Sequence, residues 1–464
     1  MKYIKYIFLA GFFALSIASC DDMEFLKIKP EDLVLTEDTL KTPDHLQKFI
    51  VDAYREVRSA GFLGGEMFVA QDVMSGDAIT LENQYEWNQV ATYSTDLFNA
   101  VGNTAWGNTY AAINRANFAA FSTKADEILE SADPAVKTRI EADASFIRGL
   151  GHFHLVRIFG LPYDATTKDI EGMGVPLRLR GTVSMDDAFI AVQRSSLEAT
   201  YTQIIDDLTF AANNLPENRA WNDGYATRDA ANAILAKVYF YKGDMANAAS
   251  TAAKVIDKYE LDSDLTAKFA RASSEVSTGE VIFMIPSTGR SNDSWGAIRA
   301  RYRSDDPASS TRCLPSSDLF NALRSNAGDT RFETFFKEEK GEFFTTKFDY
   351  DNMDCIVIAQ NELLLIYAEA AATTDKAKAI AALNKIERRA YGAPQTSETA
   401  SVDQVIAAAQ KERRFELALL GERTPDLKRQ KKNVGRFTWN ARELLFEIPA
   451  AESNGNPDII KNKN

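Results

Sequence analysis

Apolar residues recur three and four positions apart through most of this 464-residue chain, and that spacing predicts a mainly α-helical protein. Thr42 and Pro43 are typical of the N-cap and first turn of a helix, so the first predicted helix begins there. Residues 61–95 lack the periodicity and are rich in Gly, Asn, Asp and aromatic residues, which predicts a long loop. Further helices are predicted at 104–122, 134–159, 195–214, 228–242, 245–258, 360–373, 376–391 and 402–420, and strands at 280–286 and 342–348.

Two pairs of predicted helices carry small residues and tyrosines where antiparallel helices would meet. In the first pair, at 228–258, Gly243 and Asp244 form the predicted turn, and the pair at 360–391 repeats the arrangement. Close contact through small residues, with tyrosine in the groove, is similar to tetratricopeptide packing, although a generic helical hairpin explains the same pattern. We predict about four tetratricopeptide-like hairpins, with irregular loops and a few short strands.

The first 20 residues predict export. Lys2 and Lys5 precede an apolar run at 6–18, which is shorter than the roughly 20 residues that span a bilayer. Residues 1–19 are therefore a predicted signal peptide. Small residues before Cys20 resemble the bacterial lipobox, in which the cysteine becomes the first mature residue and carries acyl chains such as palmitate. Residues 20–42 would then be a lipid-anchored tether, and an ordinary signal with an unmodified cysteine is the alternative.

Composition narrows the function classes. The formal net charge of −13 argues against nucleic-acid binding, which needs clustered cations. A hydrophobic fraction of 45% is enough for a large core. Cys313 and Cys355 could pair in an oxidising compartment or remain buried thiols, and the spacing leaves both possibilities open.

The order of several motifs along nearly the whole chain resembles the SusD/RagB family of nutrient-binding outer-membrane lipoproteins. Two segments carry most of the resemblance: EADASFIRGLGHFHLVRIFGLP at 141–162 and ERRFELALLGERTPDLKR at 412–429. Shorter similar segments lie at 106–117, 194–216, 230–239, 362–370, 383–390 and 448–462. The resemblance implies a SusD-like helical region at 43–270 and a C-terminal SusD/RagB region at 271–464.

The same resemblance implies a receptor without enzymatic activity, facing the cell exterior on the outer membrane. Such a protein would bind an oligomeric nutrient and deliver it to a TonB-dependent transporter of the SusC type. A glycan is the first expectation and a peptide the alternative, because the family contains both. No cofactor and no metal are expected.

Aromatic residues in two predicted loops are the candidate ligand contacts. The C–H face of a sugar packs on an aromatic ring, and a few polar groups fix its orientation. The resemblance implies that ligand contacts come from loops in about these two regions. The candidates are Tyr85, Trp87, Asn88, Asn292, Trp295, Arg299 and Tyr302. The two tryptophans would be the stacking platforms, and packing of their rings against the helical body is the alternative.

Two carboxylates in the late motif raise the question of catalysis. Glu412 and Glu416 lie four positions apart, on one face of a predicted helix, where like charges repel unless cations intervene. Four arginines are close in sequence: Arg413, Arg414, Arg423 and Arg429. This arrangement favours a structural ion-pair network over acid–base chemistry.

Other chemistry is weakly indicated. His152 and His154 are two positions apart on a predicted helix and point to different faces, which disfavours joint metal binding. A surface glycoside hydrolase is a rival function, and it would need two carboxylates roughly 5–10 Å apart across a cleft. A protein-interaction scaffold that uses its helical grooves is a second rival.

Overall fold

The computed structural model describes residues 40–81, 85–218, 224–270, 279–287, 295–305, 313–351 and 353–463. The helices and strands follow in this order: α1 (Pro43–Val57), α2 (Glu66–Ser75), β1 (Ala78–Thr80), α3 (Tyr85–Thr92), α4 (Ala100–Ala120), α5 (Thr123–Glu130), α6 (Pro134–Phe159), α7 (Met185–Ala188), α8 (Leu197–Asn214), α9 (Arg228–Lys242), α10 (Met245–Ala252), β2 (Val281–Ile285), α11 (Gly296–Tyr302), β3 (Cys313–Pro315), α12 (Ser317–Arg324), α13 (Thr330–Phe335), β4 (Phe336–Glu339), β5 (Glu342–Thr345), β6 (Cys355–Ala359), α14 (Gln360–Ala371), α15 (Lys376–Tyr391), α16 (Val402–Glu416), α17 (Arg423–Arg429), a 3₁₀ turn (Arg442–Leu444) and α18 (Ala450–Gly455).

The long helices pack one against the next. Contacts run from α1 to α4, α6, α8 and α9 in turn, then through α10 to α14, which also packs against α15 and α16. The two predicted hairpins are α9–α10 and α14–α15, and they meet through α10 and α14. One cluster of buried apolar side chains extends from Leu40 to Ile459. The predicted mainly α-helical fold class is therefore confirmed.

Polar caps fix where several helices begin. Asp133 accepts a hydrogen bond from the Ala135 N–H at the start of α6, and Asp244 caps α10 in the same way. Ser401 and Gln404 form a reciprocal capping box at the start of α16. The Asp244 cap lies at the turn that the sequence predicts between α9 and α10.

The strands form three small antiparallel pairs. β1 pairs with β3, β2 with β6, and β4 with β5. The pairing of β1 with β3 joins the early region at 78–80 to the late region at 313–315. Short ladders thus connect parts of the chain that are distant in sequence.

The prediction of a long loop at 61–95 is wrong. That region contains α2, β1 and α3. Most of α2 is buried, including the polar side chains of Gln71 and Asp72. A helix that is buried on nearly every side has no contrast between an apolar and a polar face, so its sequence shows no helical periodicity.

Two predicted helices end early. α10 ends at Ala252 rather than at residue 258, and α16 ends at Glu416 rather than at residue 420. Beyond α16, Leu419 and Gly421 have φ angles of +62° and +73°, which are incompatible with a continuing right-handed helix. A Cβ atom at Gly421 would lie 2.5 Å from the Cα of Phe68, so the close approach of these two segments requires glycine.

Cys313 and Cys355 are both buried, and they form no disulfide with each other. Burial raises the pKa of the Cys355 thiol well above its usual value. Of the two possibilities that the sequence leaves open, the structure has two buried thiols and no disulfide between them. In the part of the chain that the structure describes, no helix combines the length and the apolar character that crossing a membrane requires.

Candidate ligand-binding surface

The two regions that carry the candidate residues meet in the folded chain. The guanidinium carbon of Arg301, in α11, lies 4.5 Å from the centre of the Trp87 ring in α3. This cation–π contact brings the early and late candidate regions to one surface. Arg301 also lies 3.9 Å from the carboxylate of Glu66 in α2.

The start of α11 is anchored to the segment before α2. The indole N–H of Trp295 donates to the Leu63 carbonyl at 2.9 Å, and the Trp295 backbone N–H donates to the Met353 carbonyl. The Gly64 carbonyl accepts from two further N–H groups near the start of α11. The adjoining Gly65 has a φ of +107°, and a Cβ there would lie 2.3 Å from the Ile298 Cβ.

Arg299 and Tyr302 make contacts within the protein. Arg299 donates to the Tyr350 carbonyl at 2.8 Å and pairs with Asp351 at 2.7 Å. The Tyr302 hydroxyl donates to Asp72 at 3.1 Å, and its side chain is buried. These contacts hold α11 in place.

The candidate tryptophans do not present free ring faces. Trp87 and Trp295 are each only 3% exposed. A ring that stacks on a ligand needs an accessible face, so the expected platform geometry is absent at these two described positions. The alternative, packing against the helical body, agrees with their burial. Asn292 lies outside the described residues.

Exposed side chains next to α3 provide ring faces instead. Tyr85 and Phe98 are 65% and 72% exposed, and Asn88 is exposed between them in sequence. The Tyr85 hydroxyl donates to one oxygen of Asp96 at 3.1 Å, and the Phe98 N–H donates to the other at 2.8 Å. Gln89 also donates to Asp96, at 2.6 Å. We call the exposed side chains of Tyr85, Asn88 and Phe98 the aromatic surface.

The ionisation states of Asp96 and Tyr85 do not change around neutral pH. Partial burial raises the pKa of the Asp96 carboxyl, but hydrogen bonds from the Phe98 N–H and from Gln89 outweigh it and hold that pKa below its usual value. The hydrogen bond to Asp96 raises the pKa of Tyr85. Asp96 therefore stays ionised as an acceptor, and Tyr85 stays protonated as its donor.

Phe98 is the ring that sequence reasoning missed. It lies just beyond the predicted loop, one residue before Asn99, whose side chain accepts from the Gly102 N–H and caps α4. The sequence contains this signal as an Asp-x-Phe-Asn segment in which Asp96 and Asn99 both bond to backbone N–H groups.

The paired glutamates of α16 belong to a buried ion network, as expected. Arg331, in α13, lies 2.6 Å from Glu412, 3.1 Å from Glu416 and 2.8 Å from Asp329. Arg389 also pairs with Glu416. The cations that separate the two glutamates are thus supplied by α13 and α15.

Three of the four arginines that are near the two glutamates in sequence pair with other carboxylates. Arg413 pairs with Glu362, Glu422 and Asp426 at 2.8–3.1 Å, while Arg414 reaches Asp77 at 2.6 Å. Arg429 pairs with Glu369 and Asp426. Proximity in sequence correctly predicted an ion-pair network, but it did not identify the arginines that pair with Glu412 and Glu416. An arginine next to a glutamate on a helix projects from another face.

The burial of Glu412 and Glu416 affects their pKa values differently. Burial raises the pKa of Glu412 in spite of Arg331. Burial also acts to raise the pKa of Glu416, but the charges of Arg389 and Arg331 outweigh it and hold that pKa well below its usual value. The network accounts for both shifts without a catalytic task.

The histidines of α6 are core residues. His152 and His154 are buried, and burial lowers the pKa of each to about 3, so both are neutral at pH 7. Within the described ranges, no group of three or more His, Cys, Asp or Glu side chains is placed to hold a metal ion.

Comparison with models of known families shows the family of this chain. A family model described as "Starch-binding associating with outer membrane", of the SusD-like type, matches residues 24–240. The model of the SusD family matches residues 280–463. The chain belongs to the SusD family. The resemblance inferred from the motifs is therefore confirmed.

Two relatives of this SusD-family chain are similar over part of their length. It is 26% identical to "SusD-like protein P2" of Formosa agariphila over 261 residues, which are 55% of this chain and 46% of the relative. It is 25% identical to a "SusD-like protein" of Bacteroides ovatus over 236 residues, which are 50% of this chain and 39% of that one. The chain spans less than half the length of each of these relatives.

Solved structures share the fold of this SusD-family protein. A SusD superfamily protein from Bacteroides thetaiotaomicron has a TM-score of 0.78 at 21% identity, covering 91% of this chain and all of the other. A putative sugar binding protein from Bacteroides vulgatus has a TM-score of 0.78 at 23% identity, covering 92% and 99%.

Proposed function

We propose that this SusD-family protein is a cell-surface lipoprotein that binds an oligomeric nutrient and delivers it to a TonB-dependent outer-membrane transporter. The ligand is a glycan, with a peptide as the alternative. Family membership supports this class of function, and the name of one structural relative, a putative sugar binding protein, supports the glycan. The protein acts without catalysis and is anchored in the outer membrane through Cys20, facing the cell exterior.

The observation that carries the binding role is the aromatic surface. Tyr85 and Phe98 present rings to solvent, and Asp96 accepts from the Tyr85 hydroxyl and from the Phe98 backbone N–H, which links the two segments that carry the rings. Flat rings with an adjacent amide, that of Asn88, suit a sugar with its C–H face and hydroxyl rim. In this proposal, Trp87, Trp295, Arg299 and Tyr302 pack within the protein and do not touch the ligand that the aromatic surface binds.

Removal of an exposed ring is expected to weaken ligand binding. Phe98→Ala and Tyr85→Ala should each reduce affinity about tenfold, as expected when a ring that stacks on a ligand is lost at a cost of roughly 1–1.5 kcal/mol. Affinity gel electrophoresis against polysaccharides, followed by calorimetry with the matching oligosaccharide, measures the change. Tyr85→Phe should lose much less, because it keeps the ring.

Phe189→Ala is the matched control, since Phe189 is 74% exposed, follows α7 and is not part of the aromatic surface. Equal affinity of Phe98→Ala, Tyr85→Ala and Phe189→Ala would remove the aromatic surface from the proposal. Binding of peptides but no glycan would support the peptide alternative. Release of reducing ends from a retained polysaccharide would support the hydrolase rival instead.

The lipid anchor has a separate test. Cys20→Ser removes the thiol that would be acylated, so the variant should move from the membrane fraction to the soluble fraction. Mass spectrometry of the parent should find an N-terminus at Cys20 carrying acyl chains. A parent protein that begins at Met1 with an unmodified Cys20 would contradict the anchor and leave the binding role untouched.

A further inference from the structure

A cleft separate from the aromatic surface lies at the other end of α11 from the Arg301–Trp87 contact. This cleft has a volume of about 500 Å³ and lies between the last turns of α1, Arg115 of α4, and Trp295 and Gly296 at the start of α11. Pockets for small ligands measure roughly 300–1,000 Å³, so the cleft has room for a monosaccharide or a disaccharide. Residues of the aromatic surface do not line it.

The cleft is lined mainly by ionisable side chains. Arg115 pairs with Asp52 at 2.6 Å and with Glu56 at 3.3 Å. Arg58 donates to the Pro286 carbonyl at 3.1 Å. Arg55, on the exposed side of α1, makes no ion pair with any described residue.

The charges of this lining select one class of ligand. Among the described residues of the lining, Arg55, Arg58 and Arg115 are cationic, and Asp52 and Glu56 are anionic. Arg115 is already paired with Asp52 and Glu56, whereas Arg55 has no ion pair among the described residues, and one such guanidinium suits one carboxylate. Carboxylates in the same wall repel a doubly charged phosphate but accept hydrogen bonds from hydroxyl groups.

We propose that the cleft binds a sugar acid through its carboxylate. The guanidinium of Arg55 binds the planar carboxylate of a hexuronate residue, a geometry for which arginine is well suited. Oxygens of Asp52 and Glu56 accept from the sugar hydroxyls. Trp295 also lines the cleft, although its side chain is only 3% exposed.

Gly296 lines the cleft. A Cβ atom added at this position would meet no described atom within 4 Å, and the backbone there is not in the left-handed region. A phenylalanine at residue 296 would therefore add bulk at the cleft wall without a clash with a described atom.

The test is calorimetry on the full chain in detergent, with D-galacturonate and D-glucuronate as probes and their methyl esters as uncharged counterparts. At least one of the acids should bind, and its methyl ester should bind at least about tenfold more weakly, because a charge-assisted hydrogen bond is lost. Affinity for the acid should fall as sodium chloride is raised, because salt screens an exposed charge pair.

Two variants test the location. Arg55→Gln and Gly296→Phe should each weaken binding of the acid about tenfold or more. Gly107→Phe is the control, since Gly107 is exposed on α4 and a Cβ there also meets nothing within 4 Å. Arg55→Gln keeps the test decisive if the phenylalanine disturbs α11.

Three results would overturn the proposal: no heat with either acid, equal binding of acid and ester, or full binding in Arg55→Gln. None of them bears on the aromatic surface, which is probed with neutral oligosaccharides. Conversely, loss of neutral-glycan binding in Phe98→Ala leaves the cleft unaffected, so the two proposals fail separately.

Discussion

Replacement of Arg331 by methionine is expected to lower the free energy of unfolding by about 3–5 kcal/mol. Arg331 is almost fully buried and contacts the carboxylates of Asp329, Glu412 and Glu416. Without the guanidinium, Glu416 keeps Arg389, but Asp329 and Glu412 lose their buried ion-pair partner. An uncompensated charge in a low-dielectric interior costs far more than the lost pair itself contributes.

Urea unfolding followed by circular dichroism measures this loss. Arg324→Met is the matched control, because Arg324 pairs with Glu338 and both side chains are about half exposed. That variant should lose less than about 1 kcal/mol. Adding Glu412→Gln to Arg331→Met should recover part of the stability. If Arg331→Met were as stable as Arg324→Met, the network would not be a major stabilising element.

The second large effect is on folding stability at acidic pH. His152→Leu should make the protein relatively more stable than its parent as the pH falls from 6 to 4. Burial, together with the charge of Arg148, lowers the pKa of His152 to about 3, against 6.5 in an unfolded chain. Below pH 6.5 the unfolded state therefore binds a proton that the folded state does not, and folding stability declines until about pH 3.

The expected size follows from the linkage. One histidine with this shift lowers the free energy of unfolding by about 1.4 kcal/mol per pH unit in this window, or about 3 kcal/mol by pH 4. Both ring nitrogens of His152 lack a hydrogen-bond partner within the described structure, so leucine breaks no hydrogen bond of that ring. Urea unfolding at pH 4, 5, 6 and 7 gives the slope for each protein.

Thr109→Val is the control for this measurement. Thr109 is buried on α4, beside Gly151 of α6, and its hydroxyl also lacks a partner within the described residues, but it does not titrate. Its slope should equal that of the parent. A parental slope in His152→Leu would mean that the folded protein accommodates the charged imidazole.

The sequence predicted the fold best where one face of a helix is apolar and a cap marks its start. α6 occupies the predicted 134–159, and α9 and α15 lie within the predicted bounds of their hairpins. α2 was missed because its polar side chains, Gln71 and Asp72, are buried along with its apolar ones. α13 and α17 were missed because helices of six and seven residues are too short to show periodicity.

The sequence predicted the segments that form the candidate site more accurately than the individual residues exposed there. Aromatic content identified the segments around Trp87 and Trp295, and the fold does bring α3 and α11 together. Sequence does not reveal which ring faces solvent, because that depends on contacts between distant segments, such as Arg301 over Trp87. The exposed rings are Tyr85, which was among the candidates, and Phe98, which was not.

The thiols of Cys313 and Cys355 have a practical consequence. Exported proteins with small cores are often stapled by disulfides, whereas a chain of this size can rely on apolar burial. Because these two sulfurs form no disulfide with each other, recombinant production in a reducing host cytoplasm needs no oxidant or isomerase to join them. Dithiothreitol in the purification buffers would then protect these sulfurs without breaking a structural bond.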